Sequence, residues 1–405
     1  MPEILPRLRM DLDFGPSPLA DRPGLLIRDP LRYSDTTLII PPGLVECLQL
    51  FDGNSTDLDL RAALVQLTGD LQVSDLQRQL FSALSEAGFL EDENYRRLKK
   101  ERHARFASMP LREAVLAGGA YPMDVAALRG TLALWMDGAG RIAPADSLAG
   151  IAAPHVSPDG GAACYRAAYA ALAPELKDRV FVVLGTSHYG QPERFGLTRK
   201  PYATPLGTAE TDCALVDQLA GAAGEGAVLE DYCHAVEHSI EFQVLFLQHV
   251  FGPGIRILPI LCGAFAKSIH EGGLPEADEN VRRFLGALGD LAAREGKRLF
   301  WVLGVDMAHV GRRYGDPFPV VAEEGHMALV RELDHARIDC LARADADAFW
   351  AAVQENRDEL KWCGSSAFYT FLRAVPGARG KLLNYQQWNI DKQSVVTFGA
   401  LSFRN

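Results

Sequence analysis

Four near-continuous apolar runs, separated by helix-like segments, constrain the fold of this chain most strongly. Runs of this kind are typical of strands buried on both faces of a parallel sheet. The four runs are LAGIAAP (148–154), VFVVLGTS (180–187), IRILPILCG (255–263) and LFWVLGVD (299–306). Helical patterns lie between them at 160–173, 212–221, 237–251 and 279–294, and β runs at 381–389 and 394–403 follow. The alternation predicts an α/β fold with helices layered around a mostly parallel sheet.

The first hundred residues have a different pattern. A strand-like stretch ends in Pro-Pro-Gly at 41–43, and short segments with helical apolar spacing follow it. We therefore predict a small helical, winged-helix-like domain at 1–104, a basic linker at 96–110 and the α/β domain at 105–405. Residues 48–91 resemble PqqD-like peptide-recognition domains, which implies peptide or partner binding. A helical appendage without a binding role fits the same pattern.

Composition and charge exclude several classes of function. A formal net charge of −11 argues against non-specific nucleic-acid binding, which needs a basic surface. No apolar run is long enough to span a membrane, and the N-terminal residues lack the pattern of a secretory signal. The seven cysteines form no CxxC pair, which argues against a structural zinc site. We expect a cytoplasmic protein that binds neither membrane nor nucleic acid.

Histidines follow three of the four apolar runs directly. They are His155, His188 and His309. Ligands of open α/β sheets bind outside the carboxyl ends of the strands, so these side chains are expected to converge. Imidazole is a good ligand for iron, copper and zinc, and we predict a metal site with these three histidines as ligands. Asp306 is expected to be a fourth ligand or to orient a histidine. The alternative is that each histidine is only a hydrogen-bonded polar residue at a strand end.

A fourth histidine stands in a different context. Glu237 and His238 lie at the start of a segment with amphipathic helical spacing that includes Glu241. His238 there suits a general acid/base or substrate-orienting role. Helix capping by Glu237 or Glu241 is the structural alternative. The candidate catalytic residues are His238, Glu237 and Asp306. Cys363 is expected to be a buried, inert thiol, with a role as a metal ligand as the alternative.

Six motifs occur in one order along the α/β part of the chain: AAPHVSPDGGAACYRAAYAAL, LGTSHYG, EHSIEFQVLFLQ, LPILCG, GVDMAHVGRRYGD and WCGSSAF. This order resembles the Memo family, the B component of a three-part set that also contains an AMMECR-like and a radical-SAM protein. The resemblance implies the fold of class III extradiol dioxygenases, with His155 and His188 as metal ligands and His238 in the active site. Asp306 and His309 match the last strand-end motif. Animal members have a cysteine where this chain has Ala308, which implies a site without a thiolate.

Three functions are compatible with these observations. The first is a metal-dependent, dioxygenase-like oxidoreductase that acts on a small molecule or peptide, with Fe(II) favoured and copper or zinc as alternatives. The resemblance implies radical-SAM and AMMECR-like partners for it. The second is a non-catalytic module that binds a metal and a peptide or protein. The third is a zinc hydrolase with a metal-bound water as nucleophile.

Overall fold

The computed structural model describes residues 2–138 and 148–405, which separate into two compact units, Met1–Ser108 (unit 1) and Met109–Asn405 (unit 2). The strands of the described residues are β1 (Asp13–Pro16), β2 (Leu25–Arg28), β3 (Thr37–Ile40), β4 (Leu148–Ala153), β5 (Val180–Thr186), β6 (Phe195–Leu197), β7 (Tyr202–Thr204), β8 (Gly207–Thr211), β9 (Ala227–Leu229), β10 (Arg256–Cys262), β11 (Leu299–Gly304), β12 (His309–Gly311), β13 (Arg379–Asp391) and β14 (Ser394–Arg404). The α-helices are α1 (Asp57–Thr68), α2 (Ser74–Glu86), α3 (Glu93–Ser108), α4 (Val125–Trp135), α5 (Pro158–Tyr169), α6 (Cys213–Ala223), α7 (Cys233–Val236), α8 (Glu241–Phe251), α9 (Ala266–Glu271), α10 (Glu279–Glu295), α11 (His326–Ala342), α12 (Ala346–Gln354) and α13 (Ser365–Ala374). Short 3-10 turns connect several of them.

Unit 1 combines helices α1, α2 and α3 with a three-stranded antiparallel sheet in the order β1-β2-β3. A capping box starts α1, where the Thr56 hydroxyl accepts from the Asp59 amide and the Asp59 carboxylate accepts from the Thr56 amide. The sequence indicated only one of the three strands, because strands of four residues carry little periodic signal.

The basic segment that we predicted as a linker is helical. Helix α3 spans Glu93–Ser108, and the chain divides into its two compact units after Ser108. Phe106 is buried in the last turn of this helix. The charged positions along α3 suggested a linker because its exposed face is almost entirely polar.

The four apolar runs form parallel strands at the centre of unit 2, as predicted, and the structure arranges them in the order β4-β11-β5-β10. Strand β14 adds antiparallel to β4 at one side and pairs with β12 and β13, while β6 extends the sheet beyond β10. The α/β class is thereby confirmed. The carboxyl ends of the four parallel strands meet at one edge of the sheet.

Both faces of this sheet carry an apolar core, which explains why the strand sequences are continuously apolar. Val182 and Leu184 of β5 pack with α6, α10 and α13 on one face. Phe181 and Val183 of the same strand pack with α5 and α8 on the other. Alternate side chains of one strand therefore enter different layers. No helix among the described residues combines the length and the apolar character that a membrane span requires.

Two glycines let the segment Ser239–Gln243 lie directly on the strands. A Cβ atom at Gly185 would stand 2.5 Å from Ser239 Oγ, and one at Gly304 would overlap the Ser239 carbonyl oxygen. Gln243 Nε2 donates to the Pro154 carbonyl at 2.8 Å and ties the start of α8 to the end of β4. The residues just before α8 are therefore fixed against the carboxyl edge of the sheet.

Candidate metal centre at the strand ends

Three histidine side chains meet at the carboxyl edge of the sheet. His155 follows β4, His188 follows β5, and His238 lies just before α8. The ring centroids are 5.1 Å apart for His155–His188, 5.0 Å for His155–His238 and 5.1 Å for His188–His238. One ring nitrogen from each lies within 4.8 Å of the others, which is close enough to hold one metal ion. The expected convergence of His155 and His188 is present, and His238 joins them.

The protonation of His155 is fixed by its surroundings. Its Nδ1 lies 2.9 Å from the Gly304 carbonyl oxygen, which can only accept, so Nδ1 carries the proton and Nε2 keeps its lone pair. The His155 amide donates to Asp306 Oδ1 at 2.9 Å, and Nε2 lies 3.4 Å from Oδ2. Burial and the nearby His188 lower the pKa of His155 to about 3, so the ring is neutral at physiological pH. A neutral imidazole with a free Nε2 is a metal ligand.

Glu237 fixes the orientation of His188. Its buried carboxylate accepts from the His188 amide at 2.5 Å and from Nδ1 at 2.9 Å. Burial opposes charge on both groups, but their mutual attraction raises the pKa of His188 and lowers that of Glu237. The arrangement leaves Nε2 directed away from the carboxylate. Carboxylates that orient a metal-binding histidine through its other nitrogen are a recurring feature of metal sites.

His238 is the most exposed of the three histidines, with about 34% of its side chain accessible. Its ring stacks on that of His188 with an interplanar angle of 8°. Burial and the neighbouring His155 lower the pKa of His238 to about 3. Helix capping does not explain the motif, because the residue before α8 is Ile240 and no side chain caps that helix. Helix α8 is also buried on nearly all sides, so its spacing is not that of a surface helix.

A thiol that the sequence analysis set aside lies at this site. Cys363 Sγ is 3.3 Å from His155 Nε2, and Cys363 forms a second possible ligand group with His155 and Asp306. The resemblance implied that no thiolate would be present because residue 308 is alanine; the structure places a cysteine from a different segment instead. The sequence signal was only a Cys-Gly pair at an element boundary. Burial raises the pKa of this thiol, so it is protonated unless a cation draws the proton away.

His309 lies outside both ligand groups found among the described residues. Its Nδ1 is 3.0 Å from the Met307 carbonyl and 3.1 Å from the Lys361 carbonyl, and its ring packs edge-on against Tyr314 at 4.9 Å. The chain passes Asp306 at the end of β11 and then turns into β12, which pairs with β14. This turn directs His309 to the margin of the site.

Asp306 lies beside His155 and Cys363 and can hold a proton. Its Oδ1 accepts from the amides of His155 and Val156, at 2.9 and 3.3 Å. Burial raises the pKa of this carboxyl to about 6, against an opposing effect of the nearby histidines. It can therefore change its protonation state close to neutral pH, which suits a group that exchanges a proton with a ligand.

The donor set fits a transition metal. Imidazole nitrogens with a thiol and a carboxylate suit iron, copper and zinc, whereas calcium and magnesium prefer sites made of oxygens. Two of the imidazoles have their Nδ1 atoms engaged, so their Nε2 atoms are the available ligands. The residues therefore match the metal classes that the sequence predicted, and they do not select one metal among them.

A buried ion pair supports the segment that carries Glu237 and His238. Arg112 is fully buried and pairs with Glu241, while it donates to the Glu237 carbonyl at 2.6 Å and to the His234 carbonyl at 2.8 Å. Glu241 also accepts from the Tyr121 hydroxyl and from two backbone amides. Sequence reasoning did not find this network, because its members are more than a hundred residues apart in the chain.

Comparison with known proteins places this site in a family. The family model described as Memo-like protein matches residues 112–402, which lie in unit 2 and contain every residue of the site. The chain belongs to the Memo-like family. A MEMO1 family protein of Aquifex aeolicus is 25% identical over 394 residues, which cover 96% of this chain and 98% of the relative.

The similarity to archaeal relatives is confined to part of the chain. A MEMO1 family protein of Methanosarcina acetivorans is 27% identical over 300 residues, covering 72% of this chain and 99% of the relative. One from Thermococcus kodakarensis is 28% identical over 249 residues, covering 58% of this chain and 80% of the relative. These archaeal proteins match only part of this chain, whereas the match to the Aquifex protein spans nearly the whole of both chains.

Proposed function

We propose that this Memo-like protein is a metal-dependent oxidoreductase whose metal ion is bound by His155, His188 and His238. The observation that carries the proposal is the mutual distance of about 5 Å between the three imidazole rings, two of which have Nδ1 tied to a fixed acceptor. Cys363 and Asp306 are close enough to His155 to complete the ligand set. His238 thereby takes the ligand role that the sequence analysis gave to His309.

The protein groups around the centre would control protons and orientation. Glu237 holds the proton on Nδ1 of His188 and so keeps Nε2 for the ligand position. Asp306, with its raised pKa, can accept or return a proton at the strand edge. His309 and Tyr314 lie at the margin, where they can contact a small-molecule or peptide substrate. A bound iron or copper would supply electron transfer and Lewis acidity, with Fe(II) favoured in our proposal.

Spectroscopy of the iron-loaded chain tests this proposal. The chain is loaded anaerobically with Fe(II) and exposed to nitric oxide, which binds an open coordination position and gives a characteristic electron paramagnetic resonance signal. We expect the signal for wild type, and its loss in His188→Ala. Glu210→Gln is the control, because Glu210 is exposed and lies beside Arg256 at the start of β10, whereas the site lies at the other ends of the parallel strands. A chain that binds Fe(II) but gives no nitric oxide signal would contradict an oxygen-activating centre.

Zinc hydrolysis is the second candidate, because imidazole and thiol ligands suit zinc as well as iron. Turnover of ester or amide substrates by the zinc-loaded chain without oxygen uptake would favour it. We also propose radical-SAM and AMMECR-like partners and a peptide-recognition role for unit 1, both on the basis of resemblance. Co-purification of the full chain with such partners, compared with a chain lacking residues 1–108, tests them.

A further inference from the structure

A cavity lies at the opposite edge of the sheet of unit 2, where the parallel strands begin. It has a volume of about 710 Å³, within the usual range of small-molecule sites. Its lining includes Leu148 and Ala149 at the start of β4, Leu299 and Trp301 at the start of β11, and Arg179 immediately before β5. A strand of seven residues spans about 20 Å, so this cavity is remote from the histidine cluster at the other ends of the same strands.

The floor and one wall of the cavity are apolar. Leu299 and Trp301 are 3% and 4% exposed and form part of the floor. Gly289, Ala292 and Ala293 face it from the second half of α10, and their small side chains leave the space open. The lining is therefore suited to a hydrocarbon or aromatic group.

Two cationic side chains of the lining form no ion pair with any described group, and this includes the terminal carboxylate of Asn405, which lines the same cavity. Arg179 and Lys297 line the cavity, and neither forms an ion pair or a side-chain hydrogen bond with any residue in 2–138 or 148–405. The third cation of the lining, Arg373, is different, because Glu276 and Asp347 pair with it. In a chain with a net charge of −11, two unpaired cations beside an apolar cavity form a local site for an anion.

We propose that this cavity binds a small amphipathic carboxylate, such as a medium-chain fatty acid, with its apolar body against Leu299 and Trp301. Its carboxylate would pair with Arg179 and Lys297. Guanidinium binds a carboxylate through two parallel hydrogen bonds, and this geometry suits the ligand class. The proposal is independent of the metal centre and adds a second binding site to the Memo-like unit.

Titration calorimetry of the full chain with octanoate tests the proposal. We expect saturable binding at one site, at least roughly tenfold weaker in Arg179→Gln/Lys297→Gln. Arg282→Gln/Arg283→Gln removes the same charge from the first turns of α10, where both arginines pair with Glu279, and should bind as wild type does. Octan-1-ol and octylammonium, which lack the anionic group, should bind at least roughly tenfold more weakly than octanoate.

Two further results separate this site from the metal centre and from simple hydrophobic adsorption. Ala293→Trp fills the cavity and should abolish octanoate binding while the chain unfolds at its normal temperature. His155→Ala/His188→Ala should bind octanoate as wild type does. Absence of binding to the full chain, equal binding of the alcohol, or wild-type affinity in Arg179→Gln/Lys297→Gln would each overturn the proposal.

Discussion

Replacing Arg112 by methionine should destabilise unit 2 strongly. The side chain is fully buried, and its guanidinium pairs with Glu241 and donates to three backbone carbonyls. Methionine has a similar length but no charge, so the Glu241 carboxylate would stay buried with only the Tyr121 hydroxyl and two amides as donors. Breaking a buried ion pair in this way costs about 3–5 kcal/mol. We expect a loss of that size in the free energy of unfolding of unit 2.

Tryptophan fluorescence during urea unfolding measures this loss selectively. All five tryptophans of the chain lie after residue 108, so the signal reports unit 2 alone. Arg112→Met/Glu241→Gln removes both charges and should recover most of the stability. Arg199→Met breaks an exposed pair with Asp217 and should cost less than about 1 kcal/mol. If Arg112→Met cost no more than Arg199→Met, the buried pair would not support the segment before α8 as we argue.

Three further predictions concern the site and the sheet. Glu237→Gln should weaken metal binding by roughly 10–100-fold, measured by competition with a chelator, because the carboxylate orients His188. Gly304→Ala should destabilise unit 2 by about 1–3 kcal/mol in urea unfolding, since its Cβ would overlap the Ser239 carbonyl, whereas Gly286→Ala on an open helix face should stabilise it slightly. Asp334 is buried and its pKa is raised by that burial, so the folded state binds a proton more tightly than the unfolded state. As the pH rises above the ordinary carboxyl pKa of 3.8, the free energy of unfolding of wild type should therefore fall relative to that of Asp334→Asn. A rise over the same pH range would contradict the raised pKa of Asp334.

Most of the layered fold of unit 2 was predictable from the sequence because burial on both faces leaves a continuous apolar signal. The runs at 148–154, 180–187, 255–263 and 299–306 correspond to β4, β5, β10 and β11. Short strands such as β6 and β9 were not predicted, since three residues give no measurable periodicity. The same limit applies to the sheet of unit 1.

Only the site residues that directly follow parallel strands could be placed from the sequence, because the topology of a parallel sheet determines their position. His155 and His188 follow β4 and β5, two parallel strands on either side of β11, and the carboxyl ends of parallel strands lie at the same edge of the sheet. Cys363 comes from a segment 208 residues after His155 and lies at a loop after residues with left-handed backbone conformation, including Lys361. No local sequence pattern predicts a contact between two segments so far apart in the chain. The position of His309 depended on the turn from β11 into β12, which the sequence did not indicate either.

Metal analysis of the purified chain tests the central claim most directly. Wild type, His155→Ala/His188→Ala and the control Glu210→Gln are purified without added metal or chelator and analysed by mass spectrometry. We predict about one iron or copper ion per chain in wild type and the control, and none in the double variant, because two of the three proposed imidazole ligands are then missing. No metal in any of them, even after anaerobic loading with Fe(II), would contradict the assignment of this histidine cluster as a metal centre.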